Sequence, residues 1–271
     1  MTAQQTGQPA APAVADRPAG LPRSWLRSEV LLVFALSLGA DGLRAAVRLI
    51  GDATSGQALT SQVASLNASQ APGRPWLDLT LQLVSLATGV VPVFLVWHFL
   101  IRSGERMSTI GADLTRPRID LFQGAVVAAV IGGSGLGLYL AAHALGVDLT
   151  VVAESLPAVW WRLPVLFLSA LQNAALEEVL VLGYLLHRLR QLGWSDNRAL
   201  LLSATVRGSY HLYQGLGGFA GNFVMGLIFG RIYQRWGRVM PLLIAHTLID
   251  TVAFIGYAEL AGHVSWLPVP S

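Results

Sequence analysis

The sequence predicts an all-α fold: a polytopic transmembrane helical bundle of about seven spans, with the N-terminus in the cytoplasm. Three observations predict it. Of 271 residues, 54% are hydrophobic and only 12% charged, a balance foreign to a water-soluble domain of this length. The apolar residues gather into runs of about 20, the length at which a helix crosses a bilayer. The 18 basic residues are all arginine, and most stand at the ends of alternate runs, as the cationic bias of cytoplasmic loops requires.

The elements follow in order. Residues 1–26, opening MTAQQTGQPAAPAVADRPAGLP, are rich in Ala, Pro, Gln and Gly. They lack the apolar core of a signal peptide and read as a disordered cytoplasmic tail. A transmembrane domain over 27–262 comes next, its spans at about 29–50, 77–101, 119–144, 159–187, 198–213, 217–235 and 239–260. Residues 263–271 form a C-terminal tail. The tail before the first span carries Arg17, Arg23 and Arg27, and the loop after the second carries Arg102, Arg106, Arg116 and Arg118. Arg188, Arg190 and Arg198 follow the fourth span, and Arg231, Arg235 and Arg238 follow the sixth. The loops between are nearly bare, Arg74 being the exception in 51–76. This alternation puts the C-terminus outside and gives a multi-pass protein of the cell membrane, the bilayer itself its first partner.

Other features are structural. Asp41, Arg44 and Arg48 lie at helical spacing on the first span and read as an interfacial ion-paired face. Gly133 with Gly137, and Gly226 with Gly230, form small-x-x-x-small patterns that admit close helix packing. Gly215, Gly217 and Gly218 mark a short outer turn. The absence of cysteine excludes disulfides, thiolate metal sites and a cysteine nucleophile. A pI near 9.7 reflects arginine-rich loops rather than nucleic-acid binding, which the apolar composition argues against.

Function is sought among polar residues at bilayer depth, where each is expensive and therefore marks a polar cavity or a catalytic centre. The fourth span holds Gln172, Asn173 and the adjacent pair Glu177 and Glu178; the fifth holds Arg207, Tyr210 and His211; the sixth Asn222; the seventh His246 and Asp250. Arg207 and His211 share a helix face, as do His246 and Asp250, being four apart. Measured from the cytoplasmic arginines, all six charged or imidazole groups fall at depths of about 10–20 Å, so they are expected to form one cluster. Asn222 and Gln172 read as interhelical hydrogen-bond partners. A carboxylate beside a histidine can hold and deprotonate water, and a second histidine with a carboxyl one turn away can stabilise the oxyanion on an attacked carbonyl. Amide hydrolysis fits this set. Two Glu and two His could also bind a metal, but the paired-histidine helix of zinc proteases is missing, so neither a cofactor nor a metal is expected.

The segments EEVLVLGYL from Glu177, SYHLYQG around His211 and AHTLID with His246 and Asp250 resemble the CAAX prenyl protease and bacteriocin-processing family of intramembrane glutamic endopeptidases. That family is typified by Glu-Glu-x-x-x-Arg, then Phe-x-x-x-His, then His-x-x-x-Asn or Asp; the likeness covers about residues 160–260. It implies a metal-independent endopeptidase acting on a membrane-associated peptide or protein. Glu177 would be the general base, Glu178 its paired carboxylate, His211 its partner, and His246 with Asp250 the oxyanion pair. Leu182 stands where the family has its arginine and Arg207 where it has phenylalanine, so Arg207 is expected to supply the missing positive charge from across the cavity. Two other classes stay open: a catalytically inactive relative acting in bacteriocin immunity or partner binding, and a proton-coupled transporter, for which no inverted repeat is visible.

Overall fold

A computed structural model of the chain describes residues 21–56, 63–145 and 150–264. Most of the expected N-terminal tail and of the C-terminal tail lies outside the described residues. Helix α1 (Arg23–Ala35) begins within the expected tail, immediately after Pro22. The expected first span is then broken: α1 gives way to α2 (Leu38–Thr54) through a 49° bend. Ser37 explains the break, because its hydroxyl donates to the Val33 carbonyl at 2.6 Å and so competes with the helical ladder. On α2, Arg44 pairs with Asp41 at 2.7 Å in an exposed position, as the spacing predicted.

The second span is a stacked pair, α3 (Pro75–Gly89) and α4 (Val91–Arg102), divided at Val90 just before Pro92. After α4 a short 3-10 turn, Met107–Ile110, ends at Gly111 with φ 68°. The Ile110 and Gly111 carbonyls accept from the Val239 and Met240 amides, both at 3.2 Å, which stitches this loop to the start of α10 (Met240–Leu260). Arg238 tightens the seam by pairing with Asp120 at 2.7 Å and Asp113 at 3.1 Å. The Asp113 carboxyl is held down at about 2 by its hydrogen bonds from Thr115 and then from Arg238. Helix α5 (Pro117–Leu145) follows. Its close approach to α10 is made at Gly124, where an added Cβ would stand 2.7 Å from Ile244, and at Gly132 beside Ile249. The expected pair Gly133 and Gly137 meets nothing within 4 Å, so the small-residue pattern on that helix lies on the wrong face for packing.

Two strands, β1 (Val63–Ala68) and β2 (Thr150–Ser155), form a small parallel sheet with Val63 opposite Thr150. Both fall in segments read from the sequence as bare loops. The pairing joins segments separated by the whole of α3 to α5, so no local pattern could reveal it. Glu154 pairs with Arg162, tying the sheet to α6 (Arg162–Glu177). After α6 the chain passes without a turn through a π-helical segment, Glu178–Tyr184, into α7 (Leu185–Gln191). This segment is the centre of the molecule: every residue from Val179 to Leu182 is at most 2% exposed.

Helix α8 (Asp196–Tyr210), a 3-10 turn at Leu212–Gln214 and α9 (Gly215–Trp236) complete the order before α10. Among the described residues, five helical stretches are long and apolar enough to cross a membrane, and a sixth if α1 and α2 count as one. The expected fifth span is the difference. With 15 residues, α8 rises only about 22 Å, short of the roughly 30 Å hydrocarbon core. Gly215, at φ 86°, reverses the chain there, while Gly217 and Gly218 belong to the first turn of α9 rather than to a loop. Phe94 and Trp97 on α4 and Phe122, Val126 and Val130 on α5 point outward and exposed, a surface suited to lipid. The chain is an all-α multi-pass membrane protein carrying one small sheet.

Candidate functional site

Four segments build the site. The end of α6 gives Glu177 and the start of the π-helical segment gives Glu178; α8 gives Arg207 and Tyr210, with His211 as the first residue beyond it; α10 gives His246 and Asp250. All six residues singled out by sequence converge. The π-helical turn carries an extra residue per turn, a distortion frequent at functional sites, and the carbonyls it frees find side-chain donors: Ser203 donates to Val181 at 3.0 Å, and Tyr233 reaches Gly183 at 3.5 Å. Glycines let α9 pack closely on α8. A Cβ on Gly226 would stand 3.2 Å from the Arg207 side chain, and one on Gly230 would stand 2.4 Å from Leu200.

Arg207 is the hub. Fully buried, it places Nη1 2.8 Å from Glu178 Oε1 and Nη2 3.3 Å from Glu177 Oε2. The first contact is a close ion pair. The guanidinium also lies 5.3 Å over the Phe229 ring. Leu182, at the position of the family's arginine, is fully buried and contributes no charge. The guanidinium beside both carboxylates comes from α8.

The two glutamates have different surroundings. Glu178 is fully buried and lies 2.7 Å from His246 Nδ1. Arg207 Nη2 also approaches that nitrogen, at 3.2 Å, but one ring nitrogen cannot both donate to a carboxylate and accept from a guanidinium, and the shorter contact decides for Glu178. The other imidazole nitrogen, Nε2, faces Asp250 Oδ2 at 3.5 Å. Glu177 is less enclosed. Its Oε2 accepts from the Tyr210 hydroxyl at 2.9 Å, and its Oε1 lies 3.9 Å from His211 Nε2. His211 Nδ1 donates to the Arg207 carbonyl at 3.0 Å, which fixes the tautomer of the neutral ring and leaves Nε2 as an acceptor.

Tyr210 is the contact that sequence reasoning left without a role. It belonged to the polar face of the fifth span, and its place between Arg207 and His211 was the available signal. Asn222 differs from the expectation of an interhelical partner: it donates to the Gly218 carbonyl within its own helix at 3.0 Å. Gln172 packs its amide against Gly89 at the end of α3.

Glu177, Glu178 and His246 each offer one atom within 4.8 Å of the others, a spread that a metal ion can bridge. The donor set does not favour one, because the Arg207 guanidinium already occupies the space between the carboxylates and supplies the compensating charge.

Residues 159–252 match the family model described as type II CAAX prenyl endopeptidase Rce1-like. That stretch contains α6, the π-helical segment, α7 to α9 and the half of α10 that bears His246 and Asp250. No curated protein and no solved structure matches the chain.

Proposed function

From a membrane protein whose residues 159–252 carry an Rce1-like CAAX endopeptidase domain, we propose an intramembrane glutamic endopeptidase that cleaves a peptide bond of a membrane-associated peptide or protein without a metal. One observation carries the reading: the 3.9 Å gap between Glu177 Oε1 and His211 Nε2. It is wider than a hydrogen bond and suits a single bridging water.

In that position the water gives a proton to Glu177 while its oxygen attacks the peptide carbonyl carbon. Negative charge moves to the carbonyl oxygen, where His246 Nε2–H donates. The long 3.5 Å contact of that nitrogen with Asp250 is one that an oxyanion can displace. Glu177 then passes its proton to the departing amine nitrogen as the C–N bond breaks, leaving a carboxylic acid and an amine. In this reading Glu178 orients His246, and Arg207 pairs with both carboxylates.

The bilayer is the cell membrane in this proposal, with the N-terminus and the arginine-rich loops cytoplasmic. Cleavage of fluorogenic membrane peptides by the protein reconstituted in lipid tests the reading. Activity should persist in chelators and vanish in Glu177→Gln and His211→Ala, each with unchanged thermal unfolding. Folded variants that retain wild-type turnover would overturn it, and loss of activity on chelation would overturn its metal-independence. Comparing membrane proteomes of cells bearing wild type and Glu177→Gln would identify the substrate.

A further inference from the structure

We propose that Tyr210 is a positioning residue for Glu177: it fastens Oε2 and so presents Oε1 as the oxygen that takes the proton from water. This rests on the proteolytic reading above. The Tyr210 residue is 5% exposed, and its hydroxyl donates to Oε2 at 2.9 Å. Arg207 Nη2 lies 3.3 Å from the same oxygen. The Tyr210 hydrogen bond and the Arg207 ion pair thus converge on Oε2, and the contact of Oε1 is His211 across the 3.9 Å gap. A carboxylate is symmetric, so by itself it has no reason to offer one oxygen rather than the other. Turning it partway about the Cγ–Cδ bond would strip a buried hydroxyl of its acceptor, which proteins avoid.

The phenol suits this task chemically. It donates a single hydrogen bond and stays neutral near pH 7, so it can orient the carboxylate without cancelling the charge that makes it a base. Arg207 alone would hold Oε2 less well, since its nearest carboxylate is Glu178. Tyr210 also packs its ring 4.7 Å from that of His211. One side chain thereby sets both walls of the water position. This follows from the end of α8 at Tyr210: the last helical residue turns inward to Glu177 while the first non-helical one, His211, faces it from the other side.

Tyr210→Phe removes the hydroxyl and keeps the ring. In the reconstituted protein we expect kcat to fall roughly 10- to 100-fold, the scale on which misplaced catalytic groups act, with KM within about twofold because the substrate contacts remain. A protein carrying 3-fluorotyrosine at 210, a slightly stronger donor of nearly the same shape, should keep kcat within about twofold, which separates lost orientation from disturbed packing. Wild-type kcat in the Phe protein, or a defect seen in KM alone, would overturn the proposal while leaving the proteolytic reading intact. An inert wild type would overturn both.

Discussion

Replacing Arg207 with methionine is the sharpest test of how two adjacent carboxylates persist inside the bundle. At an effective dielectric of about 20, charges 2.8 and 3.3 Å apart attract by roughly 6 and 5 kcal/mol before desolvation is subtracted. Most of that gross attraction offsets the burial of the ions, and removing one partner of such a pair typically leaves a net loss of about 3–5 kcal/mol. Methionine retains packing against Phe229, so the loss measured is mainly that of charge. Chemical unfolding in detergent should show the variant destabilised by that amount, and peptide cleavage should fall by at least about a hundredfold.

The structure also makes a relocation of the charge testable. Arg207 and Leu182 both lie on the glycine face of α9, Arg207 at Gly226 and Leu182 near Gly230. One helical turn, about 6 Å, separates those glycines, a distance that an arginine side chain spans. Arg207→Leu combined with Leu182→Arg should therefore regain part of the stability and activity that Arg207→Leu loses. Unchanged stability and cleavage in Arg207→Met would refute the counter-charge reasoning, and a stable but inert double variant would refute the relocation.

Two predictions concern the frame around the site. Ser203→Ala leaves the Val181 carbonyl of the π-helical segment without its buried donor and should lower unfolding stability by about 1–3 kcal/mol; a change within error would show that the π-helical segment does not depend on it. The second is a pH effect at Glu105, which lies in the loop after α4. Burial raises its carboxyl, but the hydrogen bonds from His187 and Ser103 and the charges of His187 and Arg188 hold it down at about 2. A lowered folded value means stability that is complete above the ordinary value near 4.5 and is lost as pH falls toward 2. Screened by its partial exposure, that contribution is about 1–2 kcal/mol. The stability gap between wild type and Glu105→Gln should accordingly be fully present above about pH 5 and shrink as pH falls toward 2; a gap independent of pH would refute it.

The cost of charge in an apolar run made the catalytic candidates legible. Glu177, Glu178, His211, His246 and Asp250 stood out because nothing else in their surroundings was ionisable, and the four-residue spacing of His246 and Asp250 gave them a common face. Arg207 was legible for the same reason, and its role as the relocated charge followed from its absence at Leu182. Other features left no local trace. The β1–β2 pairing depends on segments brought together by three intervening helices. The break at Ser37 and the π-helical turn after Glu177 are backbone choices settled by neighbours, Val33 in one case and Ser203 and Tyr233 in the other. The face of α5 that packs was misread because glycines recur on two faces, and only contact with α10 distinguishes Gly124 from Gly133.

By itself, the sequence determined the solvent and the chemistry: apolar runs of bilayer length dictate a helical membrane protein, and buried ionisable residues must be partnered to exist there at all. Only the tertiary structure decided the pairing, placing Arg207 between two carboxylates, Glu178 on His246 and Tyr210 on one oxygen of Glu177. Periodicity fixes which way a side chain leaves its own helix. The spacing between helices, set by glycine contacts and a π-helical turn, decides what it meets.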